Sequence, residues 1–270
     1  MVKKLFKYEV KSYLRVIIPT LIILFSIAIT GRIMQLFESD NVFYYIIYIS
    51  CIFALYVGSI ASLFAVMVFA VIRYYKNFFT QEGYLTFTLP INADQHIFVK
   101  LATAVMFSVI MFLSVIVAVT VFIPWDLLVA LLDAAAYLLK IAFSGKIAAH
   151  FVFYVIEALV YLFTTTVVSL LIYYSCISIG QRSNKNRILM AILTYVIYYL
   201  VAQTISTVVW VLISVFSAAG LFDGIGRFMT NHPYATVHIF LIGATVLYSI
   251  FGAGLYFISS YTIKRKLNLE

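Results

Sequence analysis

Side chains able to do chemistry are few in this chain of 270 residues, which carries ten acidic residues, four histidines and two cysteines. Glu157 is the one formal charge well inside an apolar run. A charge at the centre of a membrane helix costs about 2.5–3.5 kcal/mol on insertion scales, and each Leu, Ile, Val or Phe returns about 0.3–0.6 kcal/mol. Nine such residues lie in 151–163, and together they offset about 3–5 kcal/mol, so the segment inserts despite its carboxylate. Ionisable groups inside a membrane commonly mark a substrate or ion path. Glu157 is therefore a candidate for such a path; the alternative is that its helix begins outside the bilayer and leaves it near the outer interface. Gln203, with Thr204, Ser206 and Thr207 nearby, is open to the same two readings, since polar side chains in spans also join helices by hydrogen bonds.

The histidines at 96, 150, 232 and 238 do not form the i, i+4 pair with an intervening Glu that binds catalytic zinc, and no metal is assigned. No Gly-x-x-x-x-Gly-Lys-Ser/Thr loop is present to cradle phosphates. The chain is therefore expected not to be an enzyme, and any ATP hydrolysis belongs to another polypeptide. Cys51 and Cys176 both fall in apolar runs, which suits small core residues rather than a disulfide framework. No pair of intramembrane carboxylates and no protease signature suggests a polar active site. The tyrosines at 195, 198 and 199 suit either a cavity lining or interface anchors.

The elements that must hold these groups are set by composition. Hydrophobic residues make up 65% of the chain, charged residues 10%, and the mean hydropathy is +1.09. Soluble domains are about 45–50% apolar and about 25% charged, so this surface calls for lipid as solvent. Six runs reach the roughly 20 residues that cross a bilayer: 16–37, 42–74, 97–123, 147–179, 188–217 and 236–261. The second, fourth and fifth exceed one crossing and must tilt, break or project. The fold class is all-α, a polytopic membrane protein, with 1–270 as a single transmembrane domain. The run 16–29 follows a basic start but lacks an Ala-x-Ala-like site, and is expected to stay as the first span.

Lys and Arg set the orientation. With six spans, the side that holds both termini has 14 basic and 4 acidic residues, and the other side has 4 basic and 5 acidic. Both termini are thus expected in the cytoplasm, and the net charge of +8 reflects topology rather than nucleic-acid binding. Two stretches read as interfacial helices. In 125–143, Asp126, Asp133 and Lys140 recur every seven residues along one face, opposite Leu127, Leu128, Leu131, Ala135 and Leu138, which fits a helix in the outer interface; the alternative is a seventh span, which would move Arg182, Lys185, Arg187 and the 264–266 cluster outside. In 1–15, Lys4, Lys7, Lys11 and Arg15 share a stripe opposite Val2, Leu5, Phe6, Val10 and Tyr13, which suits the inner leaflet and its anionic lipid. Glu9 falls in the middle of that apolar face. It is read as a solvated residue on a frayed helix, the alternative being burial against a partner. Small residues at Gly58 and Ser62, and at Gly252 and Gly254, predict close helix approach.

The most informative stretch lies between the second and third spans. It reads Tyr74-Tyr75-Lys76-Asn77-Phe78-Phe79-Thr80-Gln81-Glu82-Gly83-Tyr84-Leu85-Thr86-Phe87-Thr88-Leu89-Pro90. A short amphipathic helix over 76–90 is predicted, with Gly83 permitting a bend and Pro90 ending it. Phe78, Phe79, Tyr84, Leu85, Phe87 and Leu89 make an apolar cluster that suits a protein partner, the membrane interface, or the chain's own helix ends.

The run 79–90, followed by a polar turn and the next span, resembles the permease subunits of bacterial ATP-binding cassette (ABC) exporters of the six-span, type-two class. The basic N-terminus and six-span layout extend the resemblance over the whole chain, although its specific part is about a dozen residues. The resemblance implies that 76–90 is a coupling helix, with Phe78, Phe79, Thr80, Gln81, Glu82, Gly83, Tyr84, Leu85, Thr86, Phe87, Leu89 and Pro90 docking on a separate ATPase subunit. It implies ATP and magnesium on that partner, none on this chain, and a second permease, either a copy or a related chain. It also implies a bacterial plasma-membrane location and a membrane-dipping element between spans five and six, for which 218–234 is suited. The substrate class is left open among peptide antibiotics, drugs, lipids and ions. Two other classes remain: an ion-coupled secondary transporter, which would show a relay of intramembrane ionisable residues, and a non-transporting scaffold or immunity protein.

Overall fold

The structure is a computed structural model that describes residues 2–37, 41–83, 92–144, 148–183 and 186–265, without the side chains of Ala149 and Arg265. The described residues are mostly helical and contain no strand. The helices are α1 (Val2–Met34), α2 (Val42–Phe79), α3 (Ala93–Phe122), α4 (Trp125–Ala142), α5 (Ala148–Gly180), α6 (Arg187–Ala218), α7 (Asp223–Asn231) and α8 (Pro233–Arg265). Six of them, all but α4 and α7, are long and apolar enough to cross a membrane. The shortest of the six, α3, has 30 residues, or about 45 Å at 1.5 Å per residue, against a hydrocarbon core of about 30 Å. All six, not only three, are therefore longer than one perpendicular crossing.

The N-terminal basic stretch is not a helix of its own. α1 runs unbroken for 33 residues through Pro19. Proline removes one backbone donor and frees the Arg15 carbonyl four residues back, and the Thr20 hydroxyl donates to the next two carbonyls, Ile17 at 2.8 Å and Val16 at 3.2 Å. α2 likewise continues past the expected end at 74, as far as Phe79. α4 carries three charged residues in 18 and has no buried residue.

The contacts group into two compact units, Met1–Asn77 with Glu82–Ile141, and Phe78–Gln81 with Ala142–Glu270. In the first unit α1 lies along α3, and α2 joins them through a cluster of Leu24, Ala28, Leu55, Ala118 and Phe122. Tyr13 stacks on Phe107 at 5.0 Å and meets the edge of Phe69 at 4.9 Å. Gly31 lets α1 and α3 approach, because the Phe122 ring fills the space that a Cβ would need. Gly58 makes only ordinary contacts with Leu24 and Ile27.

In the second unit α5 packs against both α6 and α8, and α7 touches α8. Gly180 of α5 meets the backbone of Ala191 of α6, where a Cβ would come within 2.5 Å. Gly252 of α8 faces Val168, 2.8 Å from where its Cβ would stand, whereas Gly254 has open space. Tyr195 stacks on Tyr173 at 5.2 Å, Tyr198 lies 6.2 Å from Phe251, and Tyr199 is exposed. The α6 helix ends in a Schellman turn: Leu221 N–H donates to Phe216 and Gly220 N–H to Ser217, both at 3.0 Å. That turn needs a left-handed residue, supplied by Gly220 at φ +74°. Polar α7 follows, and Pro233 opens α8 at the position where a missing N–H costs nothing.

Candidate functional site

Two clusters of charged and titratable side chains lie between the long helices, one in each unit. The first is built around Glu9, whose lone carboxylate interrupts the apolar face of α1. Its Oε1 accepts from the Lys100 ammonium at 2.8 Å, and its Oε2 accepts from Arg73 Nε at 3.1 Å. Arg73 and Asn77 stand one turn apart on α2, hence on one face. The Asn77 amide fits best with its oxygen toward Lys100 at 3.2 Å and its nitrogen donating to the Arg73 carbonyl at 3.0 Å and Glu82 at 3.3 Å. Glu9 is 1% exposed and Lys100 3%. The expectation of a solvated Glu9 is thus corrected. An unpaired carboxylate would not bury here, but two cations from two other helices hold it, and the Asn77 amide oxygen accepts from one of them, Lys100. His96, one turn before Lys100 on α3, is also fully buried.

This arrangement can fix how α1, α2 and α3 sit on one another at the end of the unit that carries the chain's N-terminus. Buried ion pairs contribute little net stability compared with apolar replacements, but breaking one partner is costly. Sequence reasoning missed the cluster. The available signal was that Glu9 interrupts an apolar stripe while Arg73 and Lys100 sit at the margins of two other apolar runs.

The second cluster contains Glu157. Its two carboxylate oxygens lie 2.7 and 2.9 Å from His238 Nδ1, and His238 Nε2 lies 3.0 Å from His150 Nδ1. His150, Tyr154 and Glu157 share a face of α5 at i, i+4 and i+7, and Tyr234 and His238 share a face of α8 at i and i+4. Tyr234 stacks flat on His150 at 5.0 Å, Tyr154 packs on His238 at 4.5 Å, and the Tyr154 hydroxyl donates to the Tyr234 carbonyl at 3.0 Å. The network assigns the tautomers. An ionised Glu157 places a proton on His238 Nδ1. His238 Nε2 then accepts from His150, or donates to it when the ring carries a second proton. Three proton carriers therefore stand in line across two helices. No group of three or more His, Cys, Asp or Glu among the described residues is arranged to hold a metal.

Gln203 is not brought to this cluster. It is exposed on α6, without a side-chain partner among the described residues, and Thr204 and Thr207 bond carbonyls of their own helix. In the stretch singled out between the second and third spans, Phe78 and Phe79 close α2 with their rings 6.2 Å apart and are 0% and 2% exposed. Thr80 forms a bend, and 81–83 is a helical turn in which Gln81 and Glu82 are exposed and Gly83 is buried. The remaining docking candidates, Tyr84, Leu85, Thr86, Phe87, Leu89 and Pro90, lie outside the described residues.

No protein-family model, curated protein or solved structure matches this chain. The class rests on the chain's own physics: six long apolar helices suit a polytopic, multi-pass membrane protein.

Proposed function

We propose that this chain is the permease subunit of an ABC exporter, which forms the membrane path and takes its power from a separate ATPase. The observation that carries the reading is the stretch 79–90, whose residues resemble the coupling helix of that family. The fold is compatible with it. A bend at Thr80 and a helical turn at 81–83 follow directly on α2, and the Glu9 cluster anchors α2 through Arg73, six residues before its end. A docked element needs such a root, because movement is transmitted only through parts that do not yield locally. In this reading both termini and the loop are cytoplasmic, ATP and magnesium sit on the partner, and a second permease completes the path.

The test is co-expression with the candidate ATPase. Deleting 79–89, or placing Asp at Tyr84 and Phe87, should abolish co-purification and uncouple ATP hydrolysis from transport. Unchanged complex formation and unchanged transport would refute the reading.

A second reading is favoured by the line of Glu157, His238 and His150. An ion-coupled secondary transporter needs a relay of ionisable residues in its spans, and Glu157 has two such neighbours. Transport by the chain alone in vesicles, driven by a pH gradient without nucleotide, would select this reading over the first.

A further inference from the structure

At the end of the first unit opposite Glu9, Arg32 lines an open cleft of about 400 Å³ together with Val117, Thr120, Val121, Trp125 and Leu128. We propose that this cleft seats the phosphate headgroup of an anionic phospholipid, with the guanidinium on the phosphate and an acyl chain along the valines. The inference depends on the six spans and not on which transport reading holds.

The charge argues for an anion. Arg32 Nη1 donates to the Ile123 carbonyl at 3.0 Å and to Gln35 Oε1 at 2.9 Å. Gln35 is itself held, since its amide donates to the Phe122 carbonyl at 2.7 Å and to the Tyr48 hydroxyl at 3.2 Å. The guanidinium is therefore fixed in direction by one edge. Its Nε and Nη2 groups have no partner among the described residues, and it makes no ion pair among them. A planar fork with unused donors matches a phosphate in two-point fashion.

The walls argue for a lipid rather than a free anion. Val117 and Val121 lie one turn apart on α3 and are 50% and 36% exposed. They lead from the guanidinium toward the middle of a helix that must itself stand in hydrocarbon. A free phosphate has nothing to gain from them, whereas an acyl chain packs along them by van der Waals contact. Trp125, 64% exposed at the start of α4, is of the type enriched at headgroup depth. The volume is at the lower end of ligand sites, which run from about 300 to 1,000 Å³, and suits a headgroup and the first part of a chain.

Trp125 supplies the readout. The chain has two tryptophans, so a Trp210→Phe variant leaves Trp125 as the only one. This protein, delipidated in detergent, is titrated with short-chain phosphatidylglycerol, with short-chain phosphatidylcholine and with inorganic phosphate, and the Trp125 emission is followed. Phosphatidylglycerol should shift the emission saturably and bind at least tenfold more tightly than either control. Arg32→Gln should weaken it at least tenfold at unchanged helix content. Thr120→Asp, which keeps Arg32 but puts a carboxylate in the cleft, should do the same and serves if Arg32→Gln does not fold. Equal binding of phosphate would make this a simple anion site and overturn the lipid assignment. Phosphatidylglycerol binding that is indifferent to both substitutions, or no saturable binding, would overturn the site itself.

Discussion

Glu9 and Lys100 are 91 positions apart in the chain and 2.8 Å apart in the structure. Their contact joins the first long helix to the third, with Arg73 bringing in the second. Each group is buried, so each depends on the other for its charge. Replacing Glu9 by Ala should cost about 3–5 kcal/mol, the usual result of leaving a buried charge uncompensated. Removing both members, as Glu9→Leu with Lys100→Met, should recover much of that loss. Thermal unfolding in detergent of the wild type, both single variants and the double variant checks the order. A double variant as unstable as Glu9→Ala would show that the pair is not an isolated unit.

The second cluster makes a prediction of the opposite kind, one of condition. His238 keeps its bond to His150 while at most one of the rings carries two protons. Once both rings carry two protons, each nitrogen of the 3.0 Å contact is a donor and the bond cannot form. Acidification that charges both rings should therefore loosen α5 from α8 near Tyr154 and Tyr234, the other titratable groups seen against them. Protection at 150–157, taken relative to the intrinsic exchange rate at each pH, should fall on acidification in the wild type and lose that pH dependence in His150→Phe. Equal pH dependence in both proteins would assign the effect elsewhere.

Close helix approach should be just as sensitive to added volume. Gly180→Val would drive side-chain atoms into the Ala191 backbone, which cannot rotate away. Overpacking of this kind costs about 1–3 kcal/mol. Gly254→Val, which meets open space, should be near neutral. Comparing the unfolding temperatures of these two variants checks the claim directly.

Gly31 offers the same test in the first unit. Gly31→Val would displace the Phe122 ring from its place beside Tyr48, a stack at 6.0 Å. Since Phe122 and Gln35 share that corner, the variant should lower both thermal stability and any affinity of the Arg32 cleft for phosphatidylglycerol. A stable protein with unchanged lipid titration would count against the shared corner.

What could be read from the chain alone follows from what hydropathy measures. It records how long an apolar run is, so the six spans were visible. It does not record which faces meet. Glu157 stands out because it breaks a run, yet its partner lies 81 positions away, and nothing local in 236–261 marks His238 as facing it. Glu9 stands out for the same reason and reads as solvated, because the balancing charges belong to other helices. The helix α2 outruns its apolar stretch, since the polar residues Arg73, Lys76 and Asn77 resemble a loop in composition while continuing the helix to Phe79. Gln203 shows the converse: a polar residue that interrupts a run with no partner in its own chain among the described residues.

The unbroken length of α1 gives these local contacts a mechanical meaning. Its 33 residues make a shaft of about 50 Å, clamped by Glu9 near one tip and by the Gly31–Phe122 seat near the other. A pivot of about 5° at its middle would displace each tip by about 2 Å in opposite senses. That sweep is comparable to the 2.8 Å separation at Lys100. Arg32 and Glu9 thus stand on one continuous helix, so a load applied at either end is borne by the same shaft.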